Sequence, residues 1–139
     1  MTQAITFAQP EDLLKEWMGL INTDDADRAN VLDRLCALYD PQASLIPTFS
    51  NRLLTNPSAI REYFIRLSSR EDLSIALHEK TLKVHPIKEK IYALSGIYCW
   101  RFAIDGELLN FEARFSYMVD LASPTPILHH HSSQIPRML

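Results

Sequence analysis

Apolar positions divide the chain into a helical first half and a strand-rich second half. Over residues 11–22, Leu13, Trp17, Leu20 and Ile21 recur at helical spacing, which predicts an amphipathic helix. Pro10 suits the first turn, where its missing N–H is not needed, and Glu11-Asp12 suit the positive end of the helix dipole. Asn22-Thr23-Asp24-Asp25 breaks this helix and can cap a second one, from about Ala26 to Tyr39, with Val31, Leu32, Leu35, Leu38 and Tyr39 as its buried stripe. Asp40-Pro41 is read as its end. Ala43–Thr48 reads as a short strand that Pro47 places at a sheet edge or strand end. Asn51–Thr55 is loop-like. Asn56-Pro57 then caps a third helix over 57–68, with Ile60, Tyr63, Phe64 and Leu67 on one stripe, and Ser68–Asp72 is a linker.

From Leu73 the period changes to two. Leu73–His85 and Lys90–Ile104 alternate, with a turn expected at Pro86–Glu89. Tyr92, Leu94, Tyr98, Trp100 and Phe102 share one face of the second run, opposite Ala93, Ser95, Ile97 and Cys99. Asp105-Gly106 is a hairpin signal. In the strand that follows, Glu107–Asp120, Phe111, Ala113, Phe115, Tyr117 and Val119 lie opposite Glu112, Arg114, Ser116 and Met118. A turn over Leu121–Pro126 leads to a last strand, Ile127–Pro136. Three helices followed by an antiparallel meander read as α+β, one domain over residues 1–139. Aromatics on both faces of long strands call for two coverings, the helices and a second subunit, so a homodimer or larger assembly is expected.

Composition narrows the function. Hydrophobic residues make up 47% and charged residues 22% of the 139 positions, which fits a globular domain. The net charge of −3, with 14 scattered basic residues, gives no footprint for nucleic acid. No apolar run approaches the ~18 residues of a membrane span, and the N-terminus has no signal-peptide pattern. Cys36 and Cys99 lack a CxxC spacing, which favours a reduced, cytoplasmic protein. With three glycines and no GxGxxG or GxxxxGK, phosphate-cradling loops are not expected.

The chemistry-rich stretch is His129-His130-His131-Ser132-Ser133. On a strand, His129, His131 and Ser133 share one face, and His130 and Ser132 share the other with Leu128. Imidazole beside hydroxyl suits proton transfer, small-anion binding or a metal site. A polar edge strand with solvated histidines is the alternative. His129 and His131 have a spacing that can chelate zinc, though no spacing nominates a third ligand, and no cofactor is otherwise expected. Cys36 and Cys99, in apolar surroundings, make poor nucleophiles.

Leu38-Tyr39 with Asp40 and Ala43, Pro47-Thr48, Tyr63-Phe64, Gly96-Ile97-Tyr98, Ala113-Arg114-Phe115-Ser116 and the HHHSS run with Pro136 occur in the order found in one superfamily. Through them the chain resembles the nuclear transport factor 2-like (SnoaL-like) proteins, and within these the bacterial relatives of the calcium/calmodulin-dependent protein kinase II association domain. The resemblance implies a cone: a curved antiparallel sheet wrapped around N-terminal helices. The HHHSS ending also resembles the iota class of carbonic anhydrases, which use this fold. It implies Thr48, Tyr63, His130 and Ser132 as catalytic positions for reversible hydration of carbon dioxide; Ile46 stands where that class carries lysine. In the kinase association domain, the arginine matching Arg114 lies in a deep pocket and a second pocket arginine aligns with Ser132. This selects the face of His130 and Ser132 as the inward one.

On that choice Thr48, Tyr63 and Ser132 offer hydroxyls, His130 offers a base, and Arg114, with Glu112 and Tyr98, forms a site for a small anion or carboxylate. Two bland readings stand beside these: an Arg114–Glu112 ion pair, and Tyr63 as a packing residue. The rival to the enzyme is a non-catalytic module for oligomerisation and small-carboxylate binding.

Overall fold

The computed structural model describes residues 6–23 and 27–136. Helix α1 spans Pro10–Asn22, with proline in its first turn and Leu13, Leu14, Trp17, Met18, Leu20 and Ile21 buried. Its last residue ties it to the sheet. The Asn22 side chain donates to the Ile75 carbonyl at 2.9 Å and accepts from the Ile75 N–H at 2.7 Å. Helix α2 spans Arg28–Cys36 and is capped by Asp27, whose carboxylate accepts from the Asn30 N–H. The cap expected at Asn22–Asp25 falls partly outside the described residues.

The second helix ends three residues before the expected Tyr39. Tyr39 instead opens strand β1, Tyr39–Ile46, with Asp40 and Pro41 inside it. Proline disfavours the α region for the residue before it, which turns Asp40 extended. Pro41 is tolerated because β1 is the outer strand of the sheet, with its register broken between Tyr39 and Ser44. Helix α3 follows at Pro57–Ser68, with Asn56 accepting from the Ala59 N–H at 2.9 Å and Ile60, Phe64 and Leu67 buried.

The expected continuous strand 73–85 is two strands. β2 is Ser74–Leu77 and β3 is Lys83–Lys88, separated by a 3₁₀ turn at Glu79–Thr81. Thr81 causes the break: its hydroxyl donates to the His78 carbonyl at 2.7 Å and accepts from the Ile97 N–H at 2.8 Å. Pro86 is paired within β3, so the turn into the next strand lies at Glu89-Lys90, with Lys90 at φ 67°. Strands β4, Ile91–Ile104, and β5, Glu107–Asp120, form a long hairpin. At its tip Asp105 and Gly106 have φ of 52° and 78°, the two positive values that a two-residue turn of this twist requires. Strand β6 is Ile127–Gln134. The sheet order is β1-β6-β5-β4-β2, with β3 also on β4; β1 pairs parallel with β6, and the remaining pairs are antiparallel. No helix among the described residues is long and apolar enough to cross a membrane.

Strand pairing puts the aromatics on one side. Trp100 lies opposite Phe111, Leu94 opposite Tyr117, and Tyr98 opposite Ala113. These residues are buried or packed on the core beneath the helices. The expected second aromatic face does not exist, so that argument for a covering subunit falls. The outer face instead carries Ser95, Ile97, Cys99, Glu112, Arg114, Ser116 and Met118.

Trp17 is the centre of the cone. It is fully buried, stacks on Tyr98 at 5.9 Å, and meets Trp100, Tyr117 and His130 edge-on at 5.8, 5.8 and 5.2 Å. Trp17→Ala removes ring burial and these contacts together, and is expected to lower unfolding free energy by about 3–5 kcal/mol. Urea denaturation followed by circular dichroism measures it; a loss below about 1 kcal/mol means the ring is not the core's centre.

Candidate functional site

Strand β6 carries the site because its side chains alternate between cone and exterior. His130 and Ser132, each only 2% exposed, are the buried polar side chains among the described residues. A register break beside Met118 and Val119 brings Ile127, not Leu128, into the core with His130. The other set faces out. His129 Nδ1 lies 2.6 Å from the Ser44 hydroxyl, and His131 Nε2 lies 2.6 Å from the Ser133 hydroxyl. The two histidines considered for zinc are thus each paired with a serine, and no three potential ligands converge among the described residues.

His130 is held on both ring nitrogens. Nδ1 is 2.8 Å from the Tyr39 hydroxyl and Nε2 is 3.1 Å from the Tyr98 hydroxyl. Tyr117 stacks on the imidazole at 3.9 Å. The tautomer follows from counting donors. Trp17 Nε1–H donates to the Tyr39 oxygen at 3.1 Å. The Tyr39 proton then has His130 Nδ1 as its acceptor. A proton on Nδ1 would leave the buried Tyr39 O–H without one, at a cost of about 1–3 kcal/mol. The proton therefore sits on Nε2 and is donated to Tyr98. The Ser132 and Thr48 hydroxyls lie close enough to the Tyr98 oxygen to act on that phenol. Burial holds His130 neutral, far below its ordinary pKa, with the neighbouring His129 and His131 acting in the same direction. The expected base is a fixed, neutral donor.

Burial also raises the phenols. Tyr39 and Tyr98 are pushed well up, Tyr98 against the opposing effect of the Ser132 and Thr48 hydroxyls. Tyr63 is pushed up to about 12, against the opposing Phe49 N–H, which donates to its oxygen. None of the three ionises near neutrality, so each presents a hydroxyl.

Thr48, Tyr63, Tyr98, His130 and Ser132 line one enclosed cavity with Trp17 and Trp100. Its volume is about 10 Å³, room for roughly one water. The Thr48 and Ser132 hydroxyls are hydrogen-bonded to each other. They also line an open groove of about 380 Å³ outside, so they form the wall between cavity and solvent. The buried Trp100 Nε1–H makes no full hydrogen bond among the described residues, though it lies near enough to the Tyr98 oxygen to act on that phenol.

The structure does not bring Arg114 and Glu112 to this site. Arg114 is exposed, and its cross-strand neighbours are Ile97 and Ser133; Phe115 is the residue opposite Ser132. Since Ala113 and Phe115 point inward, parity turns Arg114 outward. Glu112 shares that outer face and pairs with His78 at 3.1 Å, not with Arg114. Sequence reasoning missed Trp17, Tyr39 and Trp100 as site residues. Tyr39 was legible only through Pro41, which ends the helix before it.

The buried imidazole makes stability depend on pH. In the unfolded chain His130 titrates near 6.5, while the folded state refuses the proton. Below about pH 6.5 the unfolded state binds more protons, so stability falls by up to about 1.4 kcal/mol per pH unit until the depressed native pKa is reached. Urea unfolding at about pH 7.5 and 5.5 should show this loss, and His130→Gln should flatten it. A flat parent profile would mean that the imidazole is not held neutral.

No protein-family model and no curated protein matches the chain. Solved structures do. A protein from Xanthomonas campestris, assigned as a calcium/calmodulin dependent protein kinase II association domain, superposes with a TM-score of 0.77 at 19% identity, covering 99% of this chain and 100% of that one. A protein from Novosphingobium aromaticivorans assigned as a scytalone dehydratase gives 0.73 at 8% identity, over 91% and 81%. An NTF2-like protein from Exiguobacterium sp. 255-15 gives 0.62 at 12% identity, over 89% and 98%. With these matches and the cone described above, the chain has the nuclear transport factor 2-like fold.

Proposed function

We propose that the enclosed cavity is a hydration site for a small electrophile, with carbon dioxide as substrate. The observation that carries this reading is that Tyr98, Ser132, Thr48 and Tyr63 line one small cavity beside the buried Trp100 N–H. In the reaction the water oxygen bonds to the carbon of carbon dioxide. One C=O electron pair moves onto oxygen, and the water proton leaves. The developing charge on oxygen needs preorganised donors, which the Trp100 N–H and the Tyr98 hydroxyl, aimed by His130, supply. The proton leaves across the Thr48–Ser132 pair to solvent base in the outer groove, and bicarbonate is the product.

The resting cavity holds about one water, so carbon dioxide enters only when Tyr63 or the Thr48–Ser132 pair moves. That small volume favours a second reading, a non-catalytic module in which the cavity is a buried water site. The likeness in fold to a protein assigned as an association domain suggests that such a module self-associates. Sedimentation at micromolar concentration should then show species larger than 16.0 kDa; a 16.0 kDa species alone would refute self-association.

Stopped-flow hydration of carbon dioxide, on protein treated with chelator, tests the enzyme. Ser132→Ala should lower the rate by about 10²–10³, the usual effect of losing one preorganised donor. Ser133→Ala removes the same group one residue away, on the outer face, and should leave the rate near that of the parent. Equal effects of the two, or a parent rate no higher than buffer, would sink the proposal.

A further inference from the structure

A larger cavity, separate from the hydration site, opens at the mouth of the cone between α3, the loop after β1 and the end of β4. Its volume is about 260 Å³. Its apolar walls come from Phe49, Leu54 and Leu67, with Phe102 from β4. Phe102 stacks on Phe111 at 4.8 Å, and Phe49 meets both edge-on at 5.2 and 5.4 Å. This is a rigid aromatic surface, suited to a flat ring.

Its rim is cationic. Arg66 comes from α3, Arg70 from the turn just beyond its end and Arg52 from the opposite loop, with Glu62 as the acidic member. Glu62 is engaged by Arg66 at 2.7 Å. Among the described residues, Arg52 and Arg70 form no ion pair with a carboxylate. Arg70 lies over the Phe102 ring at 5.5 Å, which holds its guanidinium at the edge of the aromatic wall. The helix dipole accounts for basic residues near the end of α3. It does not account for Arg52, which faces them from a different element.

We infer that this mouth cavity binds a flat monocarboxylate of about one aromatic ring, with the ring against Phe49 and Phe102 and the carboxylate between Arg52 and Arg70. A volume below the roughly 300–1,000 Å³ of drug-sized pockets selects a small ligand. The planar guanidinium is matched to a carboxylate in shape as well as charge. Glu62, on the same rim, disfavours a second carboxylate on the ligand.

Calorimetric titration with benzoate tests the assignment, with benzamide as the neutral isostere. Benzoate should bind with a Kd of about 1 mM or tighter, a modest affinity for so few atoms. Benzamide should bind at least about tenfold more weakly, as should benzoate to the Arg52→Gln, Arg70→Gln double variant, since hydrogen bonds to charged groups are lost. Both positions are exposed, and circular dichroism checks that the variant is folded. If it is not, Arg52→Gln alone, in the loop, carries the same comparison. Arg114→Gln, on the outer face of the sheet, should bind benzoate like the parent. Absence of benzoate binding at about 10 mM, equal affinity for benzamide, or an equal loss from Arg114→Gln overturns the inference. The readout is binding, so it stands or falls apart from carbon dioxide hydration.

Discussion

The neutral imidazole of His130 is the constraint around which the cone is organised. It contacts residues from four elements: Trp17 on α1, Tyr39 on β1, Tyr98 on β4 and Tyr117 on β5. A fully buried imidazole is tolerable only if uncharged and paired at both nitrogens. The two tyrosines meet that requirement, and Trp17 makes it directional by consuming the Tyr39 lone pair. Local chemistry at one residue thus sets a hydrogen-bond polarity that runs from Trp17 on α1, through Tyr39 and His130, to Tyr98.

That polarity changes what the histidine can do. An exposed histidine near neutral pH is an ordinary acid–base group. His130 is not available for that role, because its free lone pair is spent on Tyr39 and its charged form is excluded by burial. Its other ring nitrogen is engaged by the Tyr98 hydroxyl. The site is rich in donors and poor in bases, which suits charge building up on an oxygen and requires solvent to take the proton.

The sequence was read correctly where pattern and chemistry agreed. Helices α1 and α3 have Pro at the start and a clear apolar stripe, the β4–β5 hairpin has Asp105-Gly106, and the inward set of β4 and β5 follows period two. Misreadings arose where one residue outweighed the pattern. Pro41 took Tyr39 out of a helix whose stripe it matched, Thr81 split a strand, and the bulge beside Leu128 exchanged its side with Ile127. Arg114 shows a different limit. Parity along β5 already placed it opposite Phe115, but the resemblance placed it in a pocket. Only the register of β5 on β6, Arg114 beside Ser133, decides between them. Register between distant strands is a tertiary property that no local spacing encodes.

The two cavities meet at α3, and the helical repeat explains how one element serves both. Ile60, Phe64 and Leu67 anchor the helix in the core. One step around the surface, Tyr63 and Arg66 stand at i and i+3, and Arg70 follows just after the helix ends at Ser68. Tyr63 lines the small cavity and the mouth alike, while Arg66 and Arg70, further along the chain, reach only the mouth. The tyrosine is therefore the side chain the two cavities share. Its hydroxyl is held by the Phe49 N–H, and Phe49 is also part of the aromatic wall of the mouth. A ring seated on Phe49 would press on the residue whose backbone holds Tyr63 in place. One hydrogen bond, 3.4 Å long and part-buried, thus joins the residue shared by the two cavities to the aromatic wall of the mouth. At that length it is a long contact for an N–H donor to a hydroxyl oxygen, so packing of the Tyr63 ring on Phe64 does more to fix its place.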